Sequence, residues 1–466
     1  MNTKSFFCVL LMNASILGVN AQEVAPAFAS NPFFTKYNTP YEVPPFHLIK
    51  NEHFKPAILE GIKQHQAEID AIIKNPKTPT FENTIVAMEK SGELLSKATT
   101  VFYNLNSANT NEEIQAIARE LAPEMSAHSD NISLNDALFQ KVKTVWDQKD
   151  KLKLSKEEAK LLEKTYKGFV RSGANLGTKD KEKLRAINSE LSVLTLKFGQ
   201  NILAETNKFE LVVDSKDDLK GLSEEIIESA AETAKARGKE GKWVFTLSNA
   251  SVMPFLQYSA NRKLRETIWN AYVNRCNNGD EFDNNQIALK LANLRAEKAR
   301  LLGYKTHAHY GLEETMAKTP EKVMEFLNQL WTPALAKAKQ EESEILAMMK
   351  SEGISGGVQP YDWRYYEEKI RKAKFDLDEQ ELKPYFSLES VTQGVFMVCD
   401  KLFGLQFKEI KGAPTYHEEA SLWEVMEKDG TVLGVLYMDF HPRASKRGGA
   451  WMTSYRPQTM KDGKRV

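Results

Sequence analysis

Apolar positions along most of this chain recur at helical spacing. From His53 to about Asn207 the pattern is almost unbroken, and Ile58, Ile62, Ile69, Ile72 and Ile73 share one face of a 3.6-residue period. Asn75-Pro76 ends that helix, because proline lacks an N–H and disfavours helical geometry in the residue before it. Phe81-Glu82-Asn83-Thr84-Ile85 begins the next, and Ser155-Lys156-Glu157-Glu158 spells a capping box, in which the Ser hydroxyl and the Glu carboxylate satisfy free N–H groups. A long helix is predicted over 178–206, with Leu184, Ile187, Leu191, Leu194 and Phe198 on one face. Helices resume through Met253–Gly303, Pro320–Glu352, Tyr361–Phe375 and Ser387–Phe403, with Thr319-Pro320 as an N-cap followed by proline at the first helical position.

Strand patterns are few. Phe209–Val213 and Trp243–Leu247 alternate or run apolar between turn and charged residues. Beyond Leu405 the chain changes character: Ser421–Glu427 and Thr431–Phe440 flank Lys428-Asp429-Gly430, a strong hairpin signal. Gly449–Tyr455 is a third expected strand, and a fourth starts at Lys464-Arg465-Val466 after Asp462-Gly463. A second hairpin strand only three residues long leads to the expectation that Val466 truncates a longer sheet. Ahead of the helices, residues 22–50 are rich in Pro, Asn and Phe and read as an extended arm whose rings pack on a helical body.

With 466 residues and 42% apolar content, the chain is long enough for a large core and two to four domains. Lys+Arg and Asp+Glu both count 63, so the zero net charge gives no electrostatic case for nucleic acid or an acidic membrane. Residues 1–21 differ from the rest: Lys4, an apolar run from Phe6 to Val19, and Val19-Asn20-Ala21 make the pattern of a secretory signal peptide. Cleavage before Gln22 would release a soluble chain, exported and periplasmic, with no further membrane segment. Cys8 lies in that signal, and Cys276 and Cys399 show no CxxC spacing; they read as free thiols, with one disulfide as the alternative.

Chemical signatures are sparse. His417-Glu418-Glu419 invites comparison with an HEXXH zinc helix, but residue 421, where the second histidine belongs, is Ser. His307-Ala308-His309 sits at an expected helix start, where positions i and i+2 point about 200° apart and do not share a metal. There is no GxxxxGK[ST], no GxGxxG after a strand and no GxSxG. The residues alone describe a mainly helical secreted protein with a small C-terminal sheet, and they assign no catalytic residue and no metal ligand.

Several stretches resemble one family. Pro44-Pro45-Phe46-His47-Leu48-Ile49, His53-Phe54-Lys55-Pro56-Ala57 and Pro79 to Ile85 resemble the opening of bacterial peptidyl-dipeptidases of the thimet oligopeptidase family. Tyr361-Asp362-Trp363-Arg364-Tyr365-Tyr366, Pro384-Tyr385-Phe386 and Leu402-Phe403-Gly404-Leu405 resemble their middle. Tyr437-Met438-Asp439-Phe440-His441-Pro442-Arg443, running into Lys446-Arg447-Gly448-Gly449-Ala450-Trp451-Met452, is the most specific match. The resemblance implies a two-lobed, mainly α zincin-type peptidase that releases C-terminal dipeptides from short peptides, as a monomer when complete. It also implies a zinc ion on an HEXXH helix and a downstream Glu. No residue here matches those ligands, so zinc is expected in the complete enzyme and not on this chain.

One role carries over. Gly448, Gly449 and Ala450 resemble a strand edge that pairs with the substrate backbone, since residues without bulk let another chain approach; a glycine-rich turn into a structural strand is the alternative. The expected division is a signal at 1–21, an arm at 22–50, a helical domain at 51–404 with a β insertion near 207–247, and the start of a catalytic-domain sheet at 405–466. A zinc-free helical peptide-binding or scaffold protein is the competing functional reading.

Overall fold

The computed structural model describes residues 30–376, 379–461 and 464–465. The expected signal segment 1–21 with its expected cleavage point, Cys8 and the first residues of the arm lie outside the described residues. Helices dominate, as the periodicity predicts.

The first helices are α1 (Phe54–Lys74), α2 (Glu93–Ala108), α3 (Glu112–Ser133), α4 (Asp136–Trp146), α5 (Lys156–Arg171) and α6 (Thr178–Lys208). Asn75 caps α1 in extended geometry before Pro76, and the Ser155 box forms in full, with Glu158 N donating to Ser155 Oγ (3.2 Å) and Ser155 N donating to a Glu158 carboxylate oxygen (2.7 Å). Helices α1 and α2 approach so closely at Gly61 that a Cβ there would lie 2.8 Å from Leu95 Cα, so only glycine fits. Their interface buries Phe54, Ile58, Val101 and Phe102 completely or nearly so. Each such side chain contributes roughly 2 kcal/mol of hydrophobic stabilisation. Phe33, from the arm, closes this core against Phe54 at a ring separation of 5.4 Å. A second core joins Ile69 of α1 to Phe81, Ile85, Leu138, Val142 and Phe169. In α6, Leu184 and Ile187 are buried, but Leu191, Leu194 and Phe198 are only half-buried.

The two short β signals form one antiparallel pair, β1 (Leu211–Val213) and β2 (Trp243–Phe245). Around it pack α7 (Glu224–Ala236), α8 (Asn249–Tyr258) and α9 (Arg262–Val273), with Phe245 and Phe255 4.5 Å apart at the centre. The predicted helical run Met253–Gly303 is broken: residues 274–284, rich in Asn, Asp and Gly, form a loop before α10 (Asn285–Leu301). The side chains of that loop bond its own backbone, as where Asp283 accepts from the N–H groups of Gly279 and Asn285. Cys276 is buried there at φ +60°, its thiol pushed up to about 11 by burial, and Cys276 and Cys399 are both free.

Then come α11 (His307–Leu312), α12 (Pro320–Ser351), α13 (Pro360–Phe375) and α14 (Leu388–Phe403). Helix α13 is bolted to α9 through Asp362, fully buried, which accepts from Arg262 (2.9 and 2.7 Å) and Arg265 (3.1 Å). Beyond it lies a three-stranded antiparallel sheet, β3 (Gln406–Glu409), β4 (Ser421–Met426) and β5 (Val432–Met438), paired in chain order. The Asp429-Gly430 turn joins β4 to β5, with Gly430 at φ +87° and Glu427 N bonded to Thr431 O. The expected strand over Gly449–Tyr455 does not form; among the described residues β6 (Met460–Lys461) and β7 (Lys464–Arg465) pair with each other and with no other strand.

Candidate peptide-facing segment

The most specific sequence match, residues 437–452, folds as β5 followed by a tethered loop. Helix α2 ends at Ala108 with carbonyls that have no partner inside the helix. The loop supplies partners from outside: Arg447 N donates to Ser107 O (2.8 Å) and the Arg443 guanidinium donates to Ala108 O (2.5 Å). Just past the helix, Thr110 N donates to Ser445 O (2.8 Å) and the Ser445 hydroxyl donates to Asn109 Oδ1 (3.1 Å). A cation at this helix end also meets the negative pole of its dipole.

Asp439 organises the loop. Its carboxylate accepts from Arg443 (2.9 and 2.7 Å), Lys446 (2.8 Å) and the Tyr416 hydroxyl (2.8 Å), with a side chain only 7% exposed. Burial by itself would raise the Asp439 carboxyl; the hydrogen bonds from Arg443, Lys446 and Tyr416 outweigh it and hold it well below the ordinary carboxylate range. Burial, reinforced by the bond to Asp439, pushes the Tyr416 phenol up. Beside this cluster Phe46 of the arm meets the rings of Tyr416, Tyr437 and Tyr455 at 5.6, 6.0 and 5.7 Å. Tyr455 is pinned in turn, its hydroxyl accepting from Asn104 and its carbonyl from Thr100 (3.2 Å).

Gly448, Gly449 and Ala450 follow immediately after the tethered Arg447 and are exposed. A Cβ at either glycine would meet nothing within 4 Å, and Gly449 has φ +99°. The backbone here is a bend and not the extended strand edge expected from the sequence. The guanidinium of Arg447 lies over the Trp451 ring at 4.8 Å, holding the half-buried indole beside the segment.

The histidine candidates separate. His417 sits in a loop, its Nδ1 accepting from Glu419 N (3.2 Å). His307 and His309 lie on α11, where His309 bonds the Thr306 cap (2.8 Å) and faces Glu321 (3.4 Å). No group of three or more His, Cys, Asp or Glu among the described residues is placed to hold a metal ion. A catalytic zinc needs three protein ligands around one open position, and the described residues bring no such set together. Sequence reasoning missed the Asp439 cluster, although Asp439, Arg443 and Lys446 at i, i+4 and i+7 were its visible trace.

The chain matches the model of peptidase family M3 over residues 255–465, and members of that family are zinc-dependent metallopeptidases. It is 39% identical over 430 residues to the dipeptidyl carboxypeptidase of Escherichia coli, covering 92% of this chain and 63% of that protein. The Salmonella typhimurium dipeptidyl carboxypeptidase matches at 38%, covering 92% of this chain and 64% of the relative. Oligopeptidase A of Haemophilus influenzae matches at 28%, covering 88% and 60%. The chain thus spans less than two thirds of the length of these relatives.

Proposed function

We propose that this chain serves a zinc-dependent peptidyl-dipeptidase, releasing C-terminal dipeptides from short peptides in the periplasm after export. On this reading the 466 residues supply the helical lobe and the peptide-facing segment Gly448–Ala450, and no zinc ligand. The observation that carries it is the tethered loop 439–451. Asp439, Arg443 and Lys446 lock it to the end of α2, and the small residues next to the lock face open space. Such a segment can take up a peptide backbone without side-chain obstruction. The domain division at about residue 405 is part of the same proposal, the sheet that follows being the beginning of a catalytic unit. Export rests on the pattern of residues 1–21.

The test is zinc content and dipeptide release from a blocked pentapeptide. The 466-residue chain is expected to bind no stoichiometric zinc and to release nothing. Supplying the remaining third of a related peptidase should restore release. Chelator-sensitive hydrolysis by the 466-residue chain alone would overturn the assignment of the ligands elsewhere. A folded chain that binds peptides and is not activated by the added part would favour the zinc-free binding reading.

A further inference from the structure

Helices α3 and α6 pack along much of their length, yet a cleft of about 640 Å³ stays open between them, closed at its sides by Tyr103 of α2 and Lys298 of α10. The cause is visible on α3, where Ala118, Ala122, Ser126, Ser129 and Ser133 follow one another at three- and four-residue intervals. That stripe is too small to fill the space opposite α6. Its floor is charged. Asp130 is buried to 5% exposure, and Asn188 Nδ2 donates to its Oδ1 (2.8 Å). The same amide accepts from Lys298 Nζ (2.7 Å) through its oxygen.

This arrangement is not how a packing interface disposes of two opposite charges. Direct pairing of Asp130 with Lys298 would satisfy both, since a buried charge is costly unless well bonded. Instead Asn188 stands between them and holds them apart. Asp130 Oδ2 is left without a hydrogen-bond partner among the described residues, and Lys298 spends one of three N–H donors. Burial raises the Asp130 carboxyl, against the bond from Asn188, and burial lowers the Lys298 ammonium, so both groups would gain from a further charged partner. Arg185, the other cation near Asp130, is occupied with Asn131 (2.8 Å).

We propose that this cleft binds a small zwitterion, a free amino acid or a short unblocked peptide, with its ammonium on Asp130 and its carboxylate on Lys298 and the serine hydroxyls of α3. The site is separate from the 439–451 loop and does not rest on the peptidase reading. A charge pair spaced by one amide selects a ligand carrying both charges, and the volume admits a residue or two.

Calorimetric titration of the 466-residue chain with glycine, alanyl-alanine, N-acetyl-alanyl-alanine and alanyl-alanine amide tests it. Saturable one-site binding is expected for glycine or alanyl-alanine, and which of them binds tells the size class. Blocking either terminus should weaken binding at least roughly tenfold, the loss of one charge-assisted hydrogen bond. Lys298→Met and the cleft-filling Ser126→Phe should each do the same while far-ultraviolet circular dichroism stays helical; Asp130→Asn adds a third variant where it folds. Absence of binding to the folded wild-type chain, equal binding of the blocked peptides, or indifference to both Lys298→Met and Ser126→Phe would overturn the proposal.

Discussion

Helices α1 and α12 both carry apolar residues at helical spacing, and they end up in opposite situations. In α1, Phe54, Ala57 and Ile58 are wholly buried and Ile69 is 1% exposed. In the 32 residues of α12 only Ile345 and Met349 are buried, while Met324, Phe326, Leu327, Leu330 and Trp331 lie open, Trp331 at 63%. Helix α14 repeats the second case: Phe396 is buried against Phe407 and Trp423, and Val395, Met397, Leu402 and Phe403 are exposed. Residues 54–301 therefore hold three cores of their own, whereas much of the apolar surface of residues 304–403 has no partner among the described residues. Contiguous apolar surface of this kind marks a place where another protein surface belongs. Amphipathic spacing tells that a face wants burial; it does not tell against what.

The largest expected effect lies in the first region. Phe54→Ala should cost about 4 kcal/mol, the transfer and cavity cost of a buried aromatic ring. Trp331→Ala should stay within about 0.5 kcal/mol, as at an exposed site. Urea unfolding of both variants measures the gap, and equal losses would erase the distinction.

Next comes the lock that joins the C-terminal loop to the body. Asp439→Asn should cost about 3 kcal/mol, because Arg443 and Lys446 lose a buried partner. The Asp439 carboxyl titrates below its ordinary 3.8 in the folded chain, so its contribution is fully present above about pH 4 and fades as pH falls further. Acid titration of wild type against Asp439→Asn reads the difference.

Within the body, His128 Nε2 and His65 Nδ1 lie 3.0 Å apart, and His65 also bonds the Ser91 hydroxyl (3.1 Å). Burial lowers both imidazoles; Glu68 opposes this at His65, and the neighbouring His65 adds to it at His128. Groups with lowered histidine values stabilise the fold above 6.5 and lose that stabilisation as pH falls below it, by at most about 1.4 kcal/mol per pH unit for each proton. Urea midpoints at pH 7.5 and 5.5 should show this slope, and His128→Gln should flatten it.

The smallest effects separate the two regions again. Ser155→Ala removes the capping box and should lower global stability by about 1 kcal/mol. Thr319→Ala removes the equivalent cap from α12, and should lower helix content without moving the main unfolding transition.

What the sequence reading found was local. Asn75-Pro76, the Ser155 box, Thr319-Pro320 and the Asp429-Gly430 hairpin are each decided by a few neighbouring residues, and each sits where the pattern placed it. What it missed depends on residues far apart. The apolar run Gly449–Tyr455 looked like a strand, but Tyr455 is held by Asn104 and Thr100, and Trp451 by Arg447, so no ladder forms. Strand β3 was hidden because Gln406, Lys408 and Glu409 are exposed and only Phe407 packs. The break at 274–284 carried its own signal in Asn277-Asn278-Gly279-Asp280, overridden by the helical pattern on either side.

Hydrogen exchange followed by mass spectrometry on the 466-residue chain tests the two-region account most directly. Slowest exchange is expected in Phe54–Lys74 and Glu93–Ala108, opening only with global unfolding, and much faster exchange in Leu388–Phe403 and the N-terminal half of Pro320–Ser351. Equal protection across these four segments would contradict it, because the exposed apolar faces would then belong to the same cooperative core as Phe54.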